Sequence, residues 1–207
     1  MKIDYKKSLT EIKKISDIWC GAKTDAAALV NVAEIAIDAK SKYVAVSPGA
    51  VNIMWSWIEG KNIDILCITE SKDTNIAIDI KSVFKKGAAG VIIPYCPDMI
   101  SELLPVAQDL FFGKKLFMSV DIENAPVTDW QSFFRTIKTI NTNGFVLIVK
   151  DSNSVGNIYG CFDNIPNDFD GQIMILTNNP AVMEGAHRLC NTMRPSLMEN
   201  LRFFIKR

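Results

Sequence analysis

Short runs of β-branched and aliphatic residues alternate along the chain with longer stretches in which apolar residues recur every three or four positions. Six runs read as strands: YVAVS (43–47), IDILCIT (63–69), GVIIPY (90–95), KLFMSVDI (115–122), GFVLIVK (144–150) and QIMILT (172–177). Most are apolar on both faces, as expected of strands in a parallel sheet covered by helices. Two weaker runs, SDIWC (16–20) and RFFIK (202–206), bring the set to eight.

The stretches between them have helical spacing: TDAAALVNVAEIAIDAK, PGAVNIMWSWIEG, DTNIAIDIKSVFKKG, PDMISELLPVAQDLFFG, TDWQSFFRTIKTINTNG and PAVMEGAHRLCN. Several open on Thr, Asp or Pro and close near Gly or Lys, the residues that start and stop helices. The βα units average about 25 residues, the size of a compact barrel unit. The pattern therefore predicts one domain over residues 1–207, an α/β (β/α)₈ TIM barrel whose last unit is truncated or irregular. An open doubly wound sheet is the competing arrangement, because alternation alone does not close a sheet. The final SLMENLRFFIKR suits an eighth strand or a closing helix, since Leu197, Leu201 and Phe204 also keep helical spacing. Asn-rich DSNSVGN and IPNDFDG read as loops.

Composition narrows the function classes. Lys plus Arg and Asp plus Glu number 23 each, so no net field draws the chain to nucleic acid or to an anionic membrane surface. No window approaches the roughly 18 apolar residues that span a bilayer, and no apolar run follows the lysines of the N-terminus. The expectation is a cytoplasmic protein without a signal peptide. The five cysteines, Cys20, Cys67, Cys96, Cys161 and Cys190, are scattered and mostly within apolar runs, as reduced thiols would be. With one histidine, His187, set in a helical stretch, neither a metal ligand set nor a His-based triad is expected. No glycine-rich dinucleotide or phosphate-cradling loop follows any strand. No cofactor is expected, and the partner is a small molecule, with Trp55, Trp57 and Phe84 on outer helices as core or as a homodimer surface.

A barrel of this kind carries its chemistry at the C-terminal ends of its strands. The polar residues there are Ser47, Thr69, Glu70, Tyr95, Asp121, Glu123, Lys150, Asp151, Thr177 and Asn178. Lys150 follows the run GFVLIV, and strand alternation puts it on the face of Val146 and Ile148, where an amine would be partly desolvated. A lysine attacks a carbonyl near neutral pH only where its surroundings favour the free amine, by roughly 4 kcal/mol over an ammonium of pKa about 10.4. The plainer role is a strand-end lysine that reaches water or pairs with a carboxylate.

The run YVAVSPGAVNIMWSWIEGKNIDILCIT, followed by IAIDIKSVFKKGAAGVIIPY, resembles the second to fourth βα units of deoxyribose-phosphate aldolases, and IVKDS resembles the family's strand-six motif. The resemblance runs through most of residues 16–207 in order and spacing and is weak in identity. It implies a class I aldolase, a carbon–carbon lyase in which Lys150 forms a Schiff base with a small aldehyde or a sugar-phosphate-type substrate. The chain departs from the family pattern at Gly90, where a catalytic aspartate is expected on strand four. Thr177 stands where a second lysine is expected on strand seven, and Ser119 replaces a lysine on strand five. TNNPAV and the terminal IKR stand where the family's glycine-rich phosphate turns follow strands seven and eight.

Asp121 and Glu123 share strand parity with Ser119 and lie beside strand six, so they are candidates for proton transfer at Lys150 or for an ion pair closing the barrel top. Ser47, Thr69, Tyr95, Thr177 and Asn178 are the candidate substrate contacts. The leading expectation is a Schiff-base aldolase relative acting on a small carbonyl compound. The alternative is a catalytically degenerate barrel that serves as a binding or interaction module, and an isomerase or another lyase is a third.

Overall fold

The computed structural model describes residues 12, 15–21, 25–69, 76–97, 103–104, 112–123, 129–150 and 155–207. Eight parallel strands close into one barrel in chain order: β1 (Ser16–Gly21), β2 (Tyr43–Val46), β3 (Asp64–Ile68), β4 (Gly90–Pro94), β5 (Lys115–Asp121), β6 (Gly144–Ile148), β7 (Gln172–Leu176) and β8 (Leu201–Lys206). Closure excludes the open doubly wound sheet. It also decides the C-terminus: the last segment is a strand that pairs with both β7 and β1, reached through a 3₁₀ turn over Pro195–Asn200.

The helices described are α1 (Ala26–Asp38), α2 (Val51–Ile58), α3 (Ile76–Lys85), α4 (Trp130–Ile140), α5 (Val155–Asn164) and α6 (Pro180–Met193). The helix expected between β4 and β5 falls mostly outside the described residues. Capping follows the polar residues that precede each apolar stripe. Asp25 accepts from the Ala28 N–H at 3.2 Å, Asp129 from Ser132 N–H at 2.9 Å and Asn179 from Ala181 N–H at 3.0 Å. Helix α5 was not expected, because Gly156 and Gly160 lower its intrinsic helix propensity. Tertiary burial of Ile158, Cys161 and Phe162 on one face carries it instead.

Two apolar layers hold the molecule. Between barrel and helices, α4 lays Phe133, Phe134 and Ile137 against β6, with Phe133 and Phe134 edge-on to Phe145 at 5.7 and 5.6 Å. Inside the barrel, Trp19, Leu66, Ile92, Phe117, Met174 and Phe204 fill the bore. This is a packed core and not a channel.

The N-terminal end of the bore is closed by charge. Asp17, 1% exposed, accepts from the N–H groups of Lys42 and Tyr43 at 2.8 and 2.9 Å and forms an ion pair with Arg202, whose Nη2 lies 2.9 Å from Oδ1. Lys115 pairs with Asp64 and stands 5.0 Å from the centre of the Tyr43 ring, with Arg202 at 5.9 Å from the same ring. The inward position of β4 beside Lys115 is Gly90, and β6 starts on Gly144, so the strands approach closely at this end. A Cβ on Gly90 would lie 2.6 Å from the Lys115 carbonyl oxygen, and one on Gly144, at φ 146°, would lie 2.0 Å from that of Gln172.

Candidate active site at the C-terminal mouth of the barrel

Strand pairing decides which polar residues meet. Asp121 at the end of β5 is in register with Ile148 of β6, so the residues two further along, Glu123 and Lys150, continue that row past the sheet. The Asp121 carboxylate is held from both sides. Its Oδ1 accepts from the Glu123 N–H at 3.1 Å, and its Oδ2 accepts from Lys150 Nζ at 2.9 Å. Glu123 answers by accepting the Lys150 backbone N–H through Oε1 at 2.6 Å. From the far side, Asn157 of α5 donates through Nδ2 to the Ile122 carbonyl at 3.3 Å, fixing the turn that carries both carboxylates.

The three residues thus form one reciprocal tie between the ends of β5 and β6. Its setting differs from the expectation of a desolvated amine. Strand β6 ends at Ile148, and the Lys150 side chain beyond it is 58% exposed, against 24% for Asp121. The amine is positioned by a charge-assisted hydrogen bond and not by apolar burial.

The other candidates separate by parity. Ile68, Ile148 and Leu176 face the bore, so Thr69 and Thr177, each one residue after an inward position, turn toward the helix layer and are buried there. The Thr69 hydroxyl donates to the Ile92 carbonyl at 3.2 Å, and Thr177 Oγ1 accepts from the Asn179 N–H at 3.1 Å. Tyr95 also leaves the bore and meets Phe133 edge-on at 4.9 Å. Asn178 and Ser47 keep inward parity. Asn178 clasps the backbone of Lys206, accepting from its N–H at 2.8 Å and donating to its carbonyl at 3.4 Å. Ser47 Oγ is buried with no hydrogen-bond partner among the described residues. Glu70 and Asp151 lie outside the described residues.

Below this rim the floor of the mouth is apolar: Trp19 packs edge-on against Phe204 at 5.5 Å, with Ile148 and Leu176 beside them. Trp19 of β1 and Lys206 of β8 were not among the residues expected at the mouth, and the placement of Lys206 follows only once the terminal segment is known to be a strand. Gly90, where the resemblance expects an aspartate, starts β4, four residues before its end at Pro94. At a strand rise of about 3.3 Å per residue that is roughly 13 Å below the mouth. An aspartate there would collide with Lys115. His187 is half-buried on α6, and among the described residues no three His, Cys, Asp or Glu side chains converge as metal ligands. No helix among them is long and apolar enough to cross a membrane. Trp55 and Trp57 stand 39% and 47% exposed on α2. A cleft of about 210 Å³ between the C-terminus of α4 and the loop before β7 opens at the opposite end of the barrel, away from Lys150.

A closed eight-stranded parallel barrel with a lysine and two carboxylates gathered at its C-terminal mouth is the arrangement in which (β/α)₈ enzymes place their active sites. Solved structures of the same shape include deoxyribose-phosphate aldolases. One from Aeropyrum pernix, described as tetrameric, matches with TM-score 0.68 at 10% identity over 88% of this chain and 88% of its own. A Coccidioides immitis protein with a provisional description as a deoxyribose-phosphate aldolase matches at 0.70 and 8%, over 93% of this chain and 82% of its own. The type I 3-dehydroquinate dehydratase of Clostridium difficile, solved with covalently modified comenic acid, matches at 0.61 and 13%, over 91% and 84%. No protein-family model and no curated protein sequence matches the chain. The fold is therefore aldolase-like, as the resemblance implied, and a fold that also serves a dehydratase does not by itself choose the reaction.

Proposed function

We propose that the protein is a lyase of the aldolase type that acts on a small carbonyl compound through a Schiff base on Lys150. The observation that carries this reading is the Lys150 Nζ–Asp121 Oδ2 contact of 2.9 Å at the barrel mouth. In the proposed reaction Asp121 takes a proton from the ammonium, and the freed lone pair adds to the substrate carbonyl carbon. The carbonyl oxygen, protonated in turn, leaves as water and an iminium remains. Electrons of the carbon–carbon bond beyond the α-carbon then flow to the iminium nitrogen. The β-hydroxyl gives its proton to the Asp121 carboxylate as it becomes the carbonyl of the departing aldehyde, and an enamine remains on Lys150; the reverse sequence joins them. Glu123 holds the Lys150 backbone N–H and so orients the lysine for either direction.

The test is reduction with borohydride in the presence of short aldehydes and ketones, read as added mass on the peptide that contains Lys150. Labelling of the wild type that disappears in Lys150→Ala supports the proposal. The opposing reading, not favoured here, is a barrel without chemistry in which the same ion pair only ties β5 to β6. It predicts no label with any carbonyl compound tried.

A further inference from the structure

A second lysine reaches the same mouth from the other side. Ile148 of β6 pairs with Leu176 of β7, and Leu176 with Phe204 of β8, so two residues further along the row reads Lys150, Asn178, Lys206. The hydrogen bonds of Val149 N–H to the Leu176 carbonyl (3.0 Å) and of Thr177 N–H to the Phe204 carbonyl (3.1 Å) continue this register past the strand ends. All three side chains share the inward parity of Val146, Met174 and Phe204. With neighbouring strands about 4.8 Å apart, the Cα atoms of Lys150 and Lys206 stand roughly 10 Å apart across the rim. Their flexible four-carbon stems let both ammonium groups reach one small molecule between them.

Three further features point to what that molecule carries. Lys206 is exposed and takes part in none of the ion pairs among the described residues. Its backbone is fixed at both N–H and carbonyl by Asn178, so the rim position is built and not a fraying end. Two backbone donors of the adjacent β7–α6 turn are already engaged, Asn179 N–H with Thr177 Oγ1 and Ala181 N–H with Asn179 Oδ1, and Pro180 between them has no N–H. A phosphate group, which needs several convergent N–H donors, finds few left there. A carboxylate needs less, and a single ammonium serves it.

Resting on the Schiff-base reading, we infer that Lys206 binds the carboxylate of a short oxo acid whose carbonyl reacts at Lys150, with the chain of the substrate lying on Trp19, Ile148 and Leu176. Lys206 is then a specificity-determining residue, and the preferred substrates are carboxylated and not phosphorylated.

The experiment compares the wild type with Lys206→Met in borohydride labelling of Lys150 by pyruvate, acetaldehyde and glycolaldehyde phosphate, with urea unfolding as the folding control. In parallel, binding of oxamate, an unreactive isostere of pyruvate, is followed by the NMR signal of the Trp19 indole N–H. The substitution should raise the half-labelling concentration of pyruvate about tenfold, the scale of one charged hydrogen bond, and leave acetaldehyde unchanged. Oxamate binding should weaken by a similar factor, and Lys206→Arg should restore much of both. Equal effects on pyruvate and acetaldehyde, or oxamate binding that ignores the substitution, would overturn the inference. Labelling by the phosphorylated aldehyde at lower concentration than pyruvate would overturn the assignment to carboxylates. If no carbonyl compound labels Lys150 while oxamate binding still depends on Lys206, the anion site stands and the Schiff-base reading falls.

Discussion

Replacing Asp17 by alanine removes the carboxylate at the centre of the charged plug under the barrel. Four donors lose their acceptor at once: the backbone N–H groups of Lys42 and Tyr43, and the Nε and Nη2 of Arg202. Arg202 has little water to turn to, since its side chain is 15% exposed and that of Asp17 is fully buried. Stranding one partner of such a pair costs about 3–5 kcal/mol, a large share of the roughly 5–15 kcal/mol that holds a domain together. For a chain of this length the melting temperature should fall by about 10 °C. Urea unfolding followed by circular dichroism measures the loss. Lys150 stands at the other end of the barrel and gives no reason to expect a change in its labelling at temperatures where the variant remains folded. A double-mutant cycle with Arg202→Met isolates the pair: Asp17→Ala/Arg202→Met should recover part of the loss, because the stranded guanidinium is then gone. A loss under about 1 kcal/mol, or a cycle with no coupling, would refute the reasoning that this pair seals the bore.

Gly90→Ala should cost about 1–3 kcal/mol, since the new methyl group must displace the Lys115 backbone; a urea midpoint equal to wild type would show that β4 and β5 can part more easily than their packing indicates. Stability should be level near neutral pH and decline above about pH 9, for two reasons that act in the same direction. Burial, offset in part by Lys86, pushes the Cys67 thiol from 9.0 up to about 12, and burial pushes Cys190 up to about 11. The unfolded chain therefore ionises its thiols first, and the native state loses ground as pH rises from 9.0 through those folded values. Lys115 is pulled down by burial but lifted further by its Asp64 hydrogen bond and by Tyr43, so it ends above its ordinary 10.5. The stability it contributes is whole below 10.5 and is lost as pH climbs through the higher folded value. Urea midpoints between pH 7 and 11 test this, and Cys67→Ala should flatten the decline; a midpoint constant to pH 11 would contradict it.

The eight strands were legible because each is a short apolar run between turn residues, and parallel burial on both faces leaves that run nearly uninterrupted. The terminal unit was ambiguous for a physical reason. Leu197, Leu201 and Phe204 satisfy helical spacing, and only pairing with β7 and β1 at once decides for a strand. Helix α5 was hidden by two glycines whose cost is met by tertiary packing, a contribution that propensity does not contain. At the site, Lys150, Asp121 and Glu123 could be grouped from sequence because they belong to consecutive strands of the barrel and share parity. Thr69, Tyr95 and Thr177 lie one residue to the side of inward positions, and a shift of one residue is enough to turn a side chain from the mouth to the helix layer. Asp17 and Arg202 meet across 185 residues, so nothing local announces their contact; closure of the barrel creates it.

The central claim is that Lys150 is a nucleophile served by Asp121, and one measurement addresses it directly. Borohydride trapping is carried out on wild type, Lys150→Ala and Asp121→Asn with a panel of short aldehydes and oxo acids, and the rate of label appearance on the Lys150 peptide is compared. The account predicts one added substrate mass on wild type at Lys150, none at that position in Lys150→Ala, and labelling slowed about 100-fold or more in Asp121→Asn, the scale of a lost general acid/base. Labelling of Lys150 at the rate of the other exposed lysines, indifferent to Asp121→Asn, would contradict it.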